Sequence, residues 1–488
     1  MRLLLVWLFV PTLAIAQVAT VQPVAESEPT TVATPAPVEN PVTAADVASA
    51  PRPGEESGRL DRVDEGDSTA RSIARGLLWI PRLPVEAAVQ PVRGVLYLKD
   101  RYHAFSVIAS WFTTEDKTIA IFPTAIVETG FGWNVGARAH LNDAFGGGER
   151  IRVRAGIGGE WRSIAELTVD AGKHEKRALS GGVKLRLEER DQERFYGYGN
   201  GSVTAPPATL IDPTMDATSV GSIYQVRTGQ ITPHVRLQLP RDVSLTARAA
   251  FVRDRSETIS GDDDDMDREI DETPIDSVYD TSRIAGFGTR DSIYTELEVA
   301  WDTRRAAHPY DASGMRGTGG LASAFLGRYD GLGESLDFYR GGIDLQRYIP
   351  LTRGPRVLEL RAYAEAVSGE RDRIPFLDLP RLGGERLLRG YDRDRFRDRI
   401  AAVAQAGYLF SLSRYLAASL FVDVGRVYSG LDALTLKDQR VGFGSALEVY
   451  SEKSLVIRAE VAASIDGSVF AYVSVDPAFD TKERTDRR

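Results

Sequence analysis

The sequence contains no cysteine among its 488 residues, and only five of them are histidine. The absence of cysteine excludes disulfide bonds and thiolate metal sites. The histidines lack the H-x-x-x-H and H-E-x-x-H spacings of zinc sites, and no G-x-S-x-G nucleophile elbow is present. The formal net charge of −9 and the pI of about 5.4 argue against a nucleic-acid partner. We therefore expect no metal, no cofactor and no enzymatic activity.

Long apolar runs are also missing beyond the N-terminus, where no segment approaches about eighteen consecutive apolar residues. A transmembrane helix is therefore not expected. The N-terminal stretch MRLLLVWLFVPTLAIAQ combines Arg2, an apolar run and the triplet AIA at residues 14–16. This order is typical of a secretory signal peptide, so residues 1–16 are predicted to be removed on export.

Residues 17–70 contain no phenylalanine, tyrosine or tryptophan and are rich in Pro, Ala, Val, Thr, Glu and Asp. Such a stretch buries too little apolar surface to offset its ordering entropy, which predicts a disordered leader. A proteolysed propeptide is the alternative. Residues 71–117, interrupted by Pro and Gly, are expected to form a short periplasmic segment or a plug, and residues 480–488 a charged tail.

From residue 118 onward, polar and apolar residues alternate. In VKLRLE, residues 183–188, and in VLELRAYAEA, residues 357–366, every second side chain is polar. A period of two places one set of side chains on each face of a β-strand. The polar set is heavily charged, and the strands are longer than the usual five or six residues. Both features favour a transmembrane barrel with a polar interior. A secreted solenoid, the alternative, requires a short repeat that the sequence lacks.

This alternation predicts an all-β protein, in which residues 118–479 form a 16-stranded antiparallel transmembrane β-barrel of the outer membrane. An even strand count is typical of single-chain bacterial barrels. The expected strands are 118–127, 131–140, 149–158, 161–170, 178–189, 220–239, 242–253, 291–303, 315–327, 335–349, 355–367, 400–411, 416–427, 439–450, 454–464 and 468–476.

The lengths of the connections indicate how this barrel is oriented. The three longest, 190–219, 254–290 and 368–399, follow the fifth, seventh and eleventh strands. Extracellular connections are the longer ones in such barrels. The N-terminus is therefore predicted to lie in the periplasm, and residues 368–399 form the sixth extracellular loop.

That sixth loop contains the run PRLGGERLLRGYDRDRFRDR, in which two glycines precede an Arg-Gly-aromatic triplet. Here the sequence resembles the bacterial surface antigen family. This superfamily includes the barrel-assembly insertase, the translocation and assembly module and the two-partner-secretion transporters. The resemblance implies that the long sixth loop folds into the lumen. The matching residues are Gly383, Gly384, Arg389, Gly390 and Tyr391.

Four further segments, in the expected order, resemble the family. They are an F-x-D-x-G motif on the thirteenth strand, a periplasmic turn of the form D-x-R…P…G, an early N-x-x-G-x-G turn and the segment ERFYGYGN. The final aromatic of VFAYVSVDPAF resembles the C-terminal signal that the assembly machinery recognises. In the order in which these five features are named, the matching residues are Phe421, Asp423 and Gly425; Asp302, Arg304, Pro309 and Gly314; Asn142, Gly146 and Gly148; 193–200; and Phe479.

The thirteenth strand places Asp423 on the luminal face, because the apolar residues at 416–424 occupy the even positions. A carboxylate in a narrow lumen is costly unless it is paired, and the planar guanidinium of arginine is its best bidentate partner. Arg389 could reach it from the loop, with Gly390 allowing a close backbone approach. The alternative is a solvated loop arginine, and the resemblance favours the pair.

Two features depart from the family pattern. Family members commonly carry a luminal glutamate on the twelfth strand, where this sequence has Gly407, with Gln405 on the same face. The pairing of the loop arginine is therefore expected to depend mainly on Asp423. Between the leader and the first strand, residues 71–117 are too few for one polypeptide-transport-associated domain, which predicts a barrel-only branch of the family.

The acidic run GDDDDMDRE, residues 261–269, is a candidate calcium site at the cell surface. It lacks the glycine at loop position six and the ligand spacing of an EF-hand. A solvated acidic loop is the favoured interpretation.

The resemblance implies a barrel that inserts or assembles outer-membrane proteins, or translocates polypeptide or lipid, with a seam between its first and last strands that opens laterally. A passive pore or a structural barrel without clients is the alternative, favoured by the missing recruitment domains. Expected partners are outer-membrane lipids and lipopolysaccharide, an unfolded protein, secreted polypeptide or lipid client, and the barrel-assembly machinery during the chain's own insertion.

Overall fold

The computed structural model describes most of the chain from residue 118 to residue 475. The described residues are 114, 118–128, 132–143, 145–159, 161–171, 178–202, 209–213, 220–259, 273–306, 316–333, 336–351, 356–413, 416–450 and 455–475. The predicted signal peptide, leader, acidic loop and charged tail lie outside these residues, as does the segment 71–117 apart from residue 114.

Sixteen long strands make up the described part of the chain, which confirms the predicted strand count. In chain order they are β1 Ile119–Glu128, β2 Gly132–Asn142, β3 Arg150–Gly158, β4 Trp161–Asp170, β5 Leu179–Phe195, β6 Ser222–Leu239, β7 Val243–Glu257, β8 Thr289–Asp302, β9 Arg316–Leu332, β10 Phe338–Pro350, β11 Arg356–Val367, β12 Ile400–Ser413, β13 Leu416–Tyr428, β14 Arg440–Tyr450, β15 Leu455–Ser464 and β16 Val469–Val475. Shorter pieces are the two-residue strands Arg305–Ala306, Arg381–Leu382 and Phe396–Arg397, the helix α1 Ile275–Val278, and 3₁₀ turns at Thr281–Arg283, Arg371–Arg373, Phe376–Asp378 and Leu431–Ala433.

The long strands form one antiparallel sheet in which each pairs with the next along the chain. β1 pairs with β2 and also with β16, the last strand. The fifth strand is longer than its alternation predicted, because a register shift between Arg190 and Glu193 breaks the period while pairing with β6 continues. Such an irregularity adds residues to a strand without ending its ladder.

The two faces of the sheet differ in chemistry, as β8 illustrates. Leu297, Val299 and Trp301 are about half exposed, whereas Tyr294 and Glu296, on the other face, are buried. The same division applies along the neighbouring strands, with leucine, valine and tryptophan outside and charged residues buried. We call these the apolar face and the charged face. The arrangement is the inverse of a soluble sheet and is typical of a strand that contacts lipid.

The long connections pack above the charged face as an aromatic cluster. Its fully buried members come from β5, β6, α1 and the β11–β12 connection, and include Phe195, Tyr224, Tyr279 and Phe376. Within the described residues, no helix is long and apolar enough to cross a membrane.

Candidate functional site

Loop 6, defined as residues 368–399 between β11 and β12, folds its glycine motif into a tight turn. The Gly383 N–H donates to the Leu387 carbonyl at 2.7 Å, and the Gly384 N–H donates to the Tyr391 carbonyl at 3.1 Å. Gly383 has a φ of 123°, and a Cβ there would lie 2.1 Å from a backbone oxygen of the same loop. Only glycine fits such a position, so these residues shape the turn that presents the motif arginine.

Arg389 contacts Asp423 of β13 through three donors. Its Nε lies 2.8 Å from Oδ2, its Nη2 lies 2.7 Å from Oδ1, and its backbone N–H donates to Oδ2 at 3.0 Å. Asp423 has no exposed surface. Charge-assisted bidentate bonds of this kind are among the strongest in proteins, and burial removes competing water. The contact therefore fastens loop 6 to the charged face of the sheet.

Two further groups surround the Arg389 guanidinium. Its carbon lies 3.5 Å from the centre of the Phe421 ring, which gives a cation–π contact. Its Nη1 lies 3.8 Å from an oxygen of Glu460, which is buried on β15. Sequence reasoning missed Glu460, although it had identified the alternation of that strand. The guanidinium thus sits on an aromatic ring with a carboxylate on either side.

The residues next to Arg389 also fit closely against the sheet. Gly390 has a φ of 87°, and a Cβ there would lie 2.5 Å from the Ala463 carbonyl oxygen. The Gly390 carbonyl accepts a bond of 2.7 Å from the Ser468 hydroxyl. On β14, a Cβ at Gly442 would lie 1.7 Å from the Arg389 carbonyl oxygen. Glycine is therefore required on both sides of this contact, because the two backbones approach too closely for a side chain.

Leucines of loop 6 form a small apolar core over β12 and β13. Leu382, Leu387 and Leu388 are almost fully buried beside Val403. A Cβ at Gly425 would lie 3.2 Å from the Leu382 side chain, so the glycine of the F-x-D-x-G motif leaves room for this leucine. The motif thus supplies the ring, the carboxylate and the space that loop 6 occupies.

Tyr391, the aromatic residue of the triplet, anchors the next part of the loop. Its hydroxyl donates to the Val441 carbonyl at 3.3 Å, and its ring meets Phe396 edge-on. Burial, together with the nearby carboxylate of Asp466, raises the pKa of the Tyr391 phenol to about 12. The phenol therefore remains a protonated donor at neutral pH.

The β12 glycine, where the family commonly has glutamate, lies beside another acid. A Cβ at Gly407 would lie 3.3 Å from a carboxylate oxygen of Glu359 on β11. Gln405 donates to the Arg386 carbonyl at 3.2 Å and so contacts loop 6 three residues before Arg389. The second carboxylate near Arg389 comes from β15 instead, at Glu460.

A second buried ion-pair group holds the start of loop 6. Arg290 of β8 donates to Asp378 of the loop, and its other terminal nitrogen lies 2.8 Å from Asp254 of β7. All three residues are less than a tenth exposed. Sequence reasoning did not identify this group, because its members are 36 to 124 positions apart and share no motif.

The connection between β5 and β6 clamps the end of loop 6. Asn200 donates to the Val427 carbonyl at 2.6 Å and accepts from the Val427 N–H at 3.0 Å. The Arg397 guanidinium contacts the rings of both Phe195 and Phe376, and its Nη1 donates to the Phe376 carbonyl. The segment ERFYGYGN therefore contacts both loop 6 and β13.

The predicted D-x-R turn follows β8. Arg304 binds Asp302 through Nε at 2.7 Å and Nη2 at 2.6 Å, and its Nη1 donates to Gln346 at 2.9 Å. At the β2–β3 turn, the Gly148 N–H donates to Asp143 at 2.7 Å. Pro309, Gly314 and Phe479 lie outside the described residues.

A charged cavity of about 770 Å³ lies between loop 6 and the ends of the strands that carry the short turns. Its lining includes Arg386 and Arg389 of the loop, together with Arg152, Arg236 and Arg304 of the sheet and its turns. The described residues contain no group of His, Asp and Glu that could hold a metal ion. The cavity is therefore lined mainly by charged and polar side chains, and loop 6 covers it on one side.

β1 pairs with β2 on one side and with β16, the last strand, on the other. Within the described residues, the β1–β2 pairing covers ten positions and the β1–β16 pairing covers four, residues 125–128 opposite 472–475. In the described part of the chain, residues 119–124 pair with β2 alone. We call the β1–β16 contact the seam.

Comparison with known proteins identifies related sequences and folds. The Omp85 superfamily domain matches residues 143–466. The sheet resembles the crystal structure of BamA from Haemophilus ducreyi lacking POTRA domains 1–3, with a TM-score of 0.50 and 14% identity over 73% of this chain and 70% of that one. A comparison with curated proteins gives no match.

Two CdiB structures are also similar, each with a TM-score of 0.45 and 11% identity over 73% of this chain. The CdiB from Acinetobacter baumannii is covered over 59% of its length, and the CdiB from Escherichia coli over 62%.

Proposed function

We propose that this chain is a closed outer-membrane barrel that inserts or translocates polypeptide clients through its seam. The chain belongs to the Omp85 superfamily. The superfamily and the BamA-like fold indicate the outer membrane. The charged face then lines the lumen, the apolar face contacts lipid and lipopolysaccharide, and the N-terminus lies in the periplasm. The activity needs no chemical step, so we include no enzymatic role.

The observation that carries this proposal is the seam. An unpaired strand edge presents a row of N–H and C=O groups, which is a template for another strand. β1 and β16 are neighbours in the sheet but are the first and last strands along the chain, so no turn joins them and the seam can open to expose the edges of both strands. A client strand can pair there while its side chains alternate between lipid and lumen, as a transmembrane strand requires.

The position of loop 6 favours passage of clients at the seam over free passage through the lumen. It is fastened to β13 by Arg389 and to β8 by Asp378, and its leucines fill the space over β12. A freely conducting channel needs an unobstructed lumen, and this loop obstructs it on one side of the charged cavity. We therefore assign the loop the role of closing the lumen while clients use the seam.

Depletion of the protein tests this function. We expect at least one outer-membrane barrel protein or exported polypeptide to fall in amount, and plasmid-borne wild type to restore it, because clients would lose their route. The measurement is a quantitative proteome and lipid census of the outer membrane. An unchanged census, together with ion conduction by the purified protein in planar bilayers, would establish the passive pore instead. A change in a lipid class alone would also contradict polypeptide handling.

A further inference from the structure

An arginine lies on the apolar face of the sheet. Arg347 of β10 is exposed, three residues before the strand ends at Pro350. Its neighbours on that face include Ile343 and Leu345, both more than 40% exposed. Within the described residues, its guanidinium forms no ion pair and no hydrogen bond. A charge on a lipid-facing surface is unfavourable in a depth-dependent way, so this position calls for an anionic partner.

A groove of about 440 Å³ lies beside Arg347 on the same face. Ala362 of β11 and Ala404 of β12, which are directly paired, form its floor. Leu345 of β10 and Val424 of β13 form its walls. Strands are spaced about 4.8 Å apart, so two alanine-bearing strands between larger side chains leave a channel wide enough for a hydrocarbon chain.

The groove has a rigid floor because of contacts on the charged face behind it. There Arg361 of β11 binds Asp344 of β10 at 2.7 and 3.0 Å and donates to Gln405 of β12 at 3.3 Å. These bonds connect the three strands across the floor of the groove. The shape is therefore built into the sheet before any ligand arrives.

We propose that this groove binds one glycerophospholipid, with an acyl chain along the alanine floor and the phosphate accepting hydrogen bonds from Arg347. We choose a phospholipid because of charge complementarity: its phosphate on an apolar tail matches a guanidinium that has no ion-pair partner among the described residues and lies beside an apolar channel. Arg347 lies near the end of β10, which only five residues separate from the start of β11, and the short connections of such barrels face the periplasm. The outer membrane presents phospholipid on that side. This inference depends on the membrane location and is independent of client handling.

The test is the phospholipid-to-protein ratio of the detergent-purified, folded protein, measured by native mass spectrometry. We expect one retained phospholipid in the wild type. Arg347→Gln should reduce retention about tenfold, because a charge-assisted bond is lost, and Ala404→Phe should abolish it by filling the groove. Matched controls on β9 are Arg328→Gln, whose guanidinium lies 2.6 Å from Asp330, and Ala324→Phe, which lies outside the groove.

The expected pattern is loss of the lipid in both groove variants and full retention in both controls, with all four proteins still folded by their heat-dependent migration on gels. Retention of no phospholipid by the wild type would overturn the site. Equal retention in all variants, or retention of lipopolysaccharide in place of phospholipid, would overturn it as well. None of these outcomes depends on whether depletion alters the outer-membrane proteome.

Discussion

Arg389→Ala is expected to destabilise the folded barrel by about 3–5 kcal/mol, the usual cost of removing one partner of a buried ion pair. The substitution removes both side-chain donors to Asp423, which has no exposed surface, and leaves it with only the backbone N–H of residue 389. It also removes the cation from the Phe421 ring. The measurement is the temperature at which the folded band is lost on gels, supported by urea unfolding in lipid vesicles.

A double-mutant cycle separates this pair from general damage. Asp423→Asn should have a similar effect, and the double variant should cost little more than either single change, because both break one interaction. Arg328→Ala is the matched control, since the side chains of Arg328 and its partner Asp330 are both exposed and surface pairs contribute about 0–1 kcal/mol. Fully additive effects of Arg389→Ala and Asp423→Asn would show that the contact contributes no coupling energy.

Gly442→Ala is expected to displace loop 6 from its contact with β13 and β14. A Cβ at this position would lie 1.7 Å from the Arg389 carbonyl oxygen, a backbone atom that has no flexible side chain to yield. The sheet and loop cannot both keep their positions, and the loop has fewer hydrogen bonds to lose. Trypsin should then cleave within residues 380–399, where the wild type is protected by burial.

Gly229→Ala on β6 is the control for this change. There the nearest atom to an added Cβ is the end of the Leu187 side chain at 3.5 Å, an ordinary contact. This variant should keep both its protease resistance and its heat resistance. If Gly442→Ala were as resistant to trypsin as Gly229→Ala, loop 6 would not contact β13 and β14 as described.

The strands could be predicted from the sequence because the two faces of the sheet differ in chemistry, so polar and apolar residues alternate. Arg186 and Glu188 of β5 are buried on the charged face, while Leu185 and Leu187 are exposed on the other. The prediction was wrong only at strand ends. β5 continues to Phe195 because the pairing with β6 survives a shift that breaks the period at Arg190.

The site was partly predictable for the same reason. Strand parity places Asp423 on the charged face, and the loop motif points to Arg389. The alternation of residues along a strand shows which face a side chain is on, but not which other elements it contacts on that face. Glu460 and the Arg290–Asp378 pair depend on contacts between elements that are distant in sequence, and no local pattern marks them. The groove beside Arg347 likewise depends on the register of four strands.

Locking the seam tests the proposed route of clients most directly. Positions 127 and 473 are opposite each other across the seam, and the chain has no other cysteine, so Val127→Cys with Val473→Cys gives one defined disulfide. Val135→Cys with Ile157→Cys places the same crosslink between β2 and β3.

The measurement is the ability of each oxidised variant to restore the outer-membrane proteome of depleted cells. We predict that the seam disulfide abolishes restoration, that a reductant recovers it, and that the β2–β3 disulfide has no effect. Full restoration by the oxidised seam variant would contradict client handling at the seam.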